Sequence, residues 1–269
     1  MKRNGIIISD LHCGHRVGLT HPWWQIKPKK GSTTKSNKWY KIQAELWQSF
    51  TGILDSLPAR PEIILNLGDN IDGDGGRSGG TELITTDREE QADMAVAVHN
   101  TLREYCTKDV KIIGVYGTAY HTGQQEDWED TVAHKAGFDK IGSHEWVDIN
   151  GCIIDLKHHC GGSTVPHGRS TATLKEAMWN GLWAERGLVP KANVILRGHT
   201  HFYQFGGNST VTCISCPALQ GMGSKFGGRR CSGIVDWGLI YFEIDDNGVF
   251  DYKAYVATID AQKTEAIVL

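Results

Sequence analysis

Five short apolar runs in this chain each stop at an aspartate or a histidine, and that arrangement limits the fold more than any other feature. The runs are residues 6–8, 62–67, 111–116, 151–157 and 192–197. The groups just beyond them are Asp10 and His12, Asp69 and Asp72, His121, His158 and His159, and His199 and His201. Near-continuous apolar runs bounded by glycine read as strands buried on both faces, as in a parallel sheet covered by helices. Helical patterns separate them. Residues 39–57 carry Ile42, Leu46, Trp47, Phe50, Ile53, Leu54 and Leu57 at three-and-four spacing, and residues 87–106 repeat the design with Ala92, Ala95, Val98 and Leu102. A short acidic helix is expected at 126–137 and another helix at 170–187, on Leu174, Ala177, Met178, Leu182 and Trp183. Beyond residue 205 strands dominate, at 211–216, 238–244 and 249–258, the last two joined at Asp245-Asp246-Asn247-Gly248. Strand–helix alternation followed by strands predicts an α/β fold. With no linker or repeat in view, residues 1–269 read as one domain.

In open α/β sheets, loops at the carboxyl ends of the strands line the ligand crevice. Side chains two apart at a strand end point the same way, so Asp10 and His12 can grip one object. A mixed carboxylate–imidazole set suits a divalent transition metal better than Mg²⁺ or Ca²⁺, which prefer oxygen shells. One such residue is most often structural; five strand ends in succession predict a joint metal site.

Composition excludes more than it assigns. At 269 residues and 40% hydrophobic, the chain can bury a core without staples. A net charge of −3 implies no global attraction to nucleic acid. Seven scattered cysteines point to a reducing, cytoplasmic setting, and Cys213-Ile-Ser-Cys216, lacking a second pair, reads as buried thiols. No run approaches the length of a membrane span.

Residues 21–41 hold six lysines, three tryptophans and a tyrosine with no acid. A loop insertion at about 20–38 is expected, either a basic, aromatic flap for phosphates and bases or a solvated loop whose tryptophans pack back on the domain. The glycine-rich 73–80 stretch lacks the Gly-Lys-Ser/Thr of a nucleotide-binding loop. Pro166 to Ser170 reads as a loop leading into a helix with Ser170 as N-cap, Arg169 or His167 being the alternative phosphate clamp. Lys225, Arg229 and Arg230 read as surface.

Taken together, Asp10-x-His12, Gly68-Asp69-x-x-Asp72, a glycine-led histidine segment at 117–121, His158 and Gly198-His199-x-His201 resemble the calcineurin-like metallophosphoesterases, over roughly residues 5–205. The resemblance implies a four-layer α/β/β/α sandwich of two packed mixed sheets, with the β-rich C-terminal third in the second sheet. It implies two divalent ions (Mn²⁺, Fe or Zn²⁺) and hydrolysis of a phosphoester by a metal-bound hydroxide. Asp10, His12 and His201 would hold one ion, His158 (or His159) and His199 the other, and Asp69 both. Asp72 would orient His12. The family's Gly-Asn-His motif is altered here: Thr118 stands at the Asn place and the histidine falls at His121, as acid or as ligand. Expected partners are a phosphoester substrate and, through the Lys/Trp loop, single-stranded nucleic acid. The competing expectation is a metal-binding scaffold with little turnover.

Overall fold

A computed structural model of the chain describes residues 1–28, 30–31, 35–123, 127–163, 165–222, 235–263 and 266–268, with backbone only at 35, 36 and 77. Eleven strands and five α-helices are found among them. The first sheet takes β1 (Arg3–Ile8), β2 (Ile63–Asn66), β3 (Lys111–Val115) and β4 (Lys140–Gly142) in parallel. The second takes β5 (Glu145–Ile149), β6 (Cys152–Lys157), β7 (Val194–Arg197), β8 (Gln204–Gly207) and β9 (Thr212–Ser215). Their order is β5-β6-β7-β9-β8, parallel through β6, β7 and β9 and antiparallel at both edges. The final hairpin, β10 (Trp237–Ile244) and β11 (Phe250–Ala257), corrects the sequence reading of the C-terminal third. It joins the first sheet, antiparallel to β1, giving the order β11-β10-β1-β2-β3-β4. Of the strands after β7, only β8 and β9 belong to the second.

Period-two alternation assigns each strand residue to a layer. Ile7, Leu65, Leu67, Val115 and Phe242 from the first sheet meet Ile154, Leu156, Leu196 and Ile214 from the second, forming the core between sheets. Ile6, Ile8, Ile64 and Ile112 face the other way, under α1 (Lys35–Asp55), α2 (Arg88–Tyr105) and α4 (Trp128–Ala136). Leu46, Phe50, Ala95, Val98 and Val132 fill that layer. Each large apolar side chain buried there contributes about 1.5–3 kcal/mol. Asp87 caps α2, accepting from the Glu89 and Glu90 amides. The outer face of the second sheet carries α5 (Thr171–Glu185) over a small cluster of Ala177, Ala192, Ile195 and Cys213. The architecture is therefore α/β/β/α with two mixed sheets. No described helix is long and apolar enough to cross a membrane.

Two local expectations are revised. Ser170 precedes α5 but its side chain makes no capping bond, while Arg169 stacks its guanidinium 5.0 Å from the Phe202 ring. The apolar stripe of α5 faces outward, with Met178, Trp179 and Leu182 each about half exposed. Cys213 and Cys216 are buried and free, as expected.

Candidate metal centre

The carboxyl ends of β1, β2, β3, β6 and β7 meet at one edge of the sandwich. The loops after β1 and β2 run side by side: the Asp10 amide donates to Gly68 O at 3.0 Å and the His12 amide to Asp69 O at 2.9 Å. In the second sheet the loops after β6 and β7 are joined likewise, the Gly198 amide donating to His158 O at 2.9 Å. Glycine is required where these loops touch. A Cβ on Gly117 would lie 2.1 Å from Asp69 Oδ1, and one on Gly198 would lie 2.3 Å from Ser9 Oγ. Six described non-glycine residues have left-handed backbone, and five of them are Asp10, His12, Asp69, His199 and His201, with φ of 45–68°. Such conformations cost on the order of 1–3 kcal/mol each and persist only where the surroundings enforce them. The strain sits on the residues whose side chains turn inward.

Three groups of potential ligands form: Asp10, His12 and His201; His12, Asp69 and His121; and Asp69, His158 and His199. In the first, His201 Nε2 lies 3.1 Å from Asp10 Oδ1 and 3.2 Å from His12 Nε2. His12 Nδ1 sits 2.9 Å from Asp72 Oδ1. Since a carboxylate only accepts, Nδ1 carries the proton and Nε2 presents its lone pair inward. Asp10 Oδ2 accepts from the Ser9 hydroxyl and from the His199 amide at 3.1 Å, which leaves the buried Oδ1 without a hydrogen bond. Donor atoms about 2.0–2.2 Å from a tetrahedral cation would stand roughly 3.3–3.6 Å apart. The observed spacing of 3.1–3.8 Å among Asp10 Oδ1, His12 Nε2 and His201 Nε2 fits that demand.

In the third group, His158 Nδ1 donates to Leu67 O at 2.6 Å, so Nε2 faces Asp69 Oδ2 at 3.1 Å. His159 is exposed, outside the group, its ring 4.4 Å from that of His199. Thr118 Oγ1 lies 3.2 Å from Asp69 Oδ2, 3.1 Å from His158 Nε2 and 3.2 Å from His199 Nδ1. The Thr118 amide donates to Asp69 Oδ1 at 2.5 Å. The single-turn α3 (Ala119–Thr122) explains how His121 returns to the centre, because positions three apart share a helix face. Its Nδ1 donates to Asp72 O at 2.7 Å, and its ring sits edge-on to His12.

The electrostatics describe a sink for positive charge. Burial opposes ionisation of Asp10, but the neighbouring His201 and His12 hold its carboxyl well below the usual range. Asp69 is likewise lowered against burial, by His158. His12 is raised to about 10 despite burial, by the carboxylates of Asp10 and Asp72, and His158 to about 9 by Asp69. Burial and the neighbouring His158 push His199 down to about 4. A potential that binds protons this firmly also favours divalent cations, for which the protons must leave.

Behind Asp69 lies a buried polar network that the sequence did not reveal. Glu129 Oε1 accepts from the Asn70 amide at 3.0 Å, while Asn70 Oδ1 accepts from Asn66 Nδ2 at 2.8 Å and contacts His99 Nε2 at 3.0 Å. Burial raises Glu129 to about 7 and lowers His99 to about 3. These groups fix the loop that carries Asp69. In sequence, Glu129 and His99 are ordinary polar positions on helices, with nothing to mark them.

The Lys/Trp segment leaves from the rim of this centre, where the Leu19 amide donates to Leu11 O at 2.9 Å. Trp39 is buried in the core and Trp24 packs against it, whereas Trp23 is 80% exposed. Lys27, Lys30 and Lys38 are exposed. Lys29 and the basic residues Lys225, Arg229 and Arg230 lie outside the described residues.

No protein-family model matches the chain, and no curated protein sequence does. Among solved structures it is similar to an archaeal phosphodiesterase, at 14% identity and a TM-score of 0.44, covering 95% of this chain and 100% of that one. A zinc complex of Vps29 from Entamoeba histolytica gives 13% identity and a TM-score of 0.42, covering 94% and 98%. A predicted phosphoesterase from Streptococcus pneumoniae TIGR4 gives 12% and 0.38, covering 95% and 99%.

Proposed function

We propose that the chain is a calcineurin-like metallophosphoesterase that hydrolyses a phosphoester at a centre of two divalent cations. The observation that carries this reading is the sharing of ligands. Asp69 belongs to two of the three groups and stands between Asp10, His12 and His201 on one side and His158 and His199 on the other. When bound, a cation pair neutralises phosphate charge and lowers the pKa of coordinated water from 15.7 toward about 7.

The chain's own residues do the rest. Asp72 and Leu67 O fix the tautomers of His12 and His158, so both present Nε2 to the centre. The Ser9 hydroxyl and the His199 amide hold Asp10 so that one oxygen stays free. His121 is assigned the leaving-group proton. With Nδ1–H committed to Asp72 O, the imidazolium form carries its second proton on Nε2, the atom able to pass it to a departing oxygen and return the ring to neutral. Such transfer contributes typically about 10²–10⁴-fold. Trp23, Lys27 and Lys30 are assigned to stacking on bases and pairing with phosphates of a single strand.

Purified protein with Mn²⁺ should turn over a chromogenic phosphodiester or phosphomonoester, and the Asp69→Asn protein should not; equal background in both removes the enzyme reading. For His121→Ala, lost rate with retained metal supports the acid, and lost metal makes it a ligand. Unchanged single-stranded DNA binding on replacing Trp23, Lys27 and Lys30 with Ala rejects the nucleic-acid assignment. One observation favours a second reading, a metal-binding scaffold. A hydroxyl at Thr118 is a weaker neutral ligand than an amide oxygen, and turnover needs both cations.

A further inference from the structure

Helix α5 is inverted. Toward the sheet it presents Thr173, Glu176 and Asn180, with Ala177 and the side of Leu174 over Gly206 for apolar contact. Glu176 takes Arg197 Nη2 at 2.9 Å, Arg197 reaches Asp155 at 2.6 Å, and the Asn180 amide group bonds Pro190 O and the Ala192 amide. Away from the sheet stand Met178, Trp179 and Leu182, with Leu174 and Trp183 on the flanks and Leu188 just beyond, at 39–62% exposure. A helix ordinarily hides its apolar stripe and exposes its polar one. Six of the sixteen exposed large hydrophobics among the described residues lie on this helix and the turn after it. The crest is flanked by two clefts of about 340 and 360 Å³, the first bordered by Met178 and Gly181, the second by Trp146, Trp179 and Trp183. Interior glycine is unfavourable in a helix. At Gly181 a Cβ would meet nothing within 4 Å, so no contact inside the chain calls for it.

We propose that α5 pairs with α5 of a second copy of this chain, antiparallel about a twofold axis at the level of Asn180. A twofold interface must be self-complementary, with each residue i facing a position reflected through the axis. About position 180, Met178 faces Leu182 of the partner subunit, and Lys175 faces Glu185 of the partner subunit. Lys175 and Glu185 are both exposed, and neither makes an ion pair among the described residues. The reflection therefore sets apolar against apolar and cation against anion, twice over. A lipid surface or an unrelated protein would not need that symmetry. Half-covered side chains of this size offer on the order of 500 Å² per copy, so a pair buries about 1,000 Å², the lower bound for a specific interface. The tryptophans supply the anchors and the clefts beside the crest receive them.

Sedimentation velocity across a concentration series tests the pairing on the full chain. The wild-type protein is expected to dimerise with a Kd on the order of micromolar. Met178→Glu with Trp183→Glu should give a monomer whose far-UV circular dichroism matches wild type, both side chains being about half exposed. Lys175→Glu should weaken the dimer about tenfold by setting like charges opposite each other, and adding Glu185→Lys should restore it. A chain that stays monomeric at about 100 µM overturns the proposal. So does a dimer indifferent to Met178 and Trp183, or a charge exchange that fails to restore association.

Discussion

The two halves of the candidate centre are built from neighbouring strand ends and finished differently. Around Asp10 a carboxylate oxygen and two imidazole nitrogens face one another, and Asp72 holds one of the imidazoles from behind. Around His158 the matching position is filled by Thr118 Oγ1, at hydrogen-bond distance from three groups that would otherwise ligate. The difference traces to one segment: after β3 the chain places Thr118 beside Asp69 and turns through α3 before delivering His121. The sheets set where potential ligands gather, and on the proposed two-cation reading a loop of five residues, 117–121, sets how strongly each half would hold a cation.

The sharpest way to break this contrast is to remove what the halves share. Asp69→Asn should abolish metal-dependent turnover, by on the order of 10³-fold, and lose metal from both halves in a metal-content assay. Asp72→Asn acts on one half alone, freeing the His12 tautomer. A loss of about 10–100-fold in the tighter of two binding steps by calorimetry is expected, with the weaker step unchanged. Excess Mn²⁺ should stabilise the fold by mass action, by about 2.7 kcal/mol at a hundredfold excess over Kd and read as a rise in Tm, and most of that rise should vanish in Asp10→Ala. The smallest effect sharpens the contrast. Thr118→Asn should tighten the weaker step by about tenfold and bring the two affinities together. Two equal steps in the wild-type protein would erase the distinction.

Much of this was legible in the sequence because strand ends are local signals. Asp10, His12, Asp69, His121, His158, His199 and His201 could be named from apolar runs that stop, and the structure brings their side chains together. What the sequence hid was non-local. Lys140–Gly142 and Gln204–Gly207 form strands too short and too rich in glycine or charge to show a period. The hairpin at 237–257 was visible, but its choice of sheet depends on pairing with Arg3–Ile8, more than two hundred residues away. Periodicity found the stripe on α5 without saying which side of the helix would face the sheet. Glu129 reaches Asn70 across fifty-nine positions, which no spacing rule captures.

The place of β1 in its sheet has a consequence for synthesis. It lies between β2 and β10, so the strand leading to Asp10 and His12 is made first and flanked on both sides last. Until residues 237–244 leave the ribosome, one edge of that strand has open amides and carbonyls, a template for stray pairing. A nascent chain stalled before residue 237 should therefore be captured by chaperones far more readily than one released after 257.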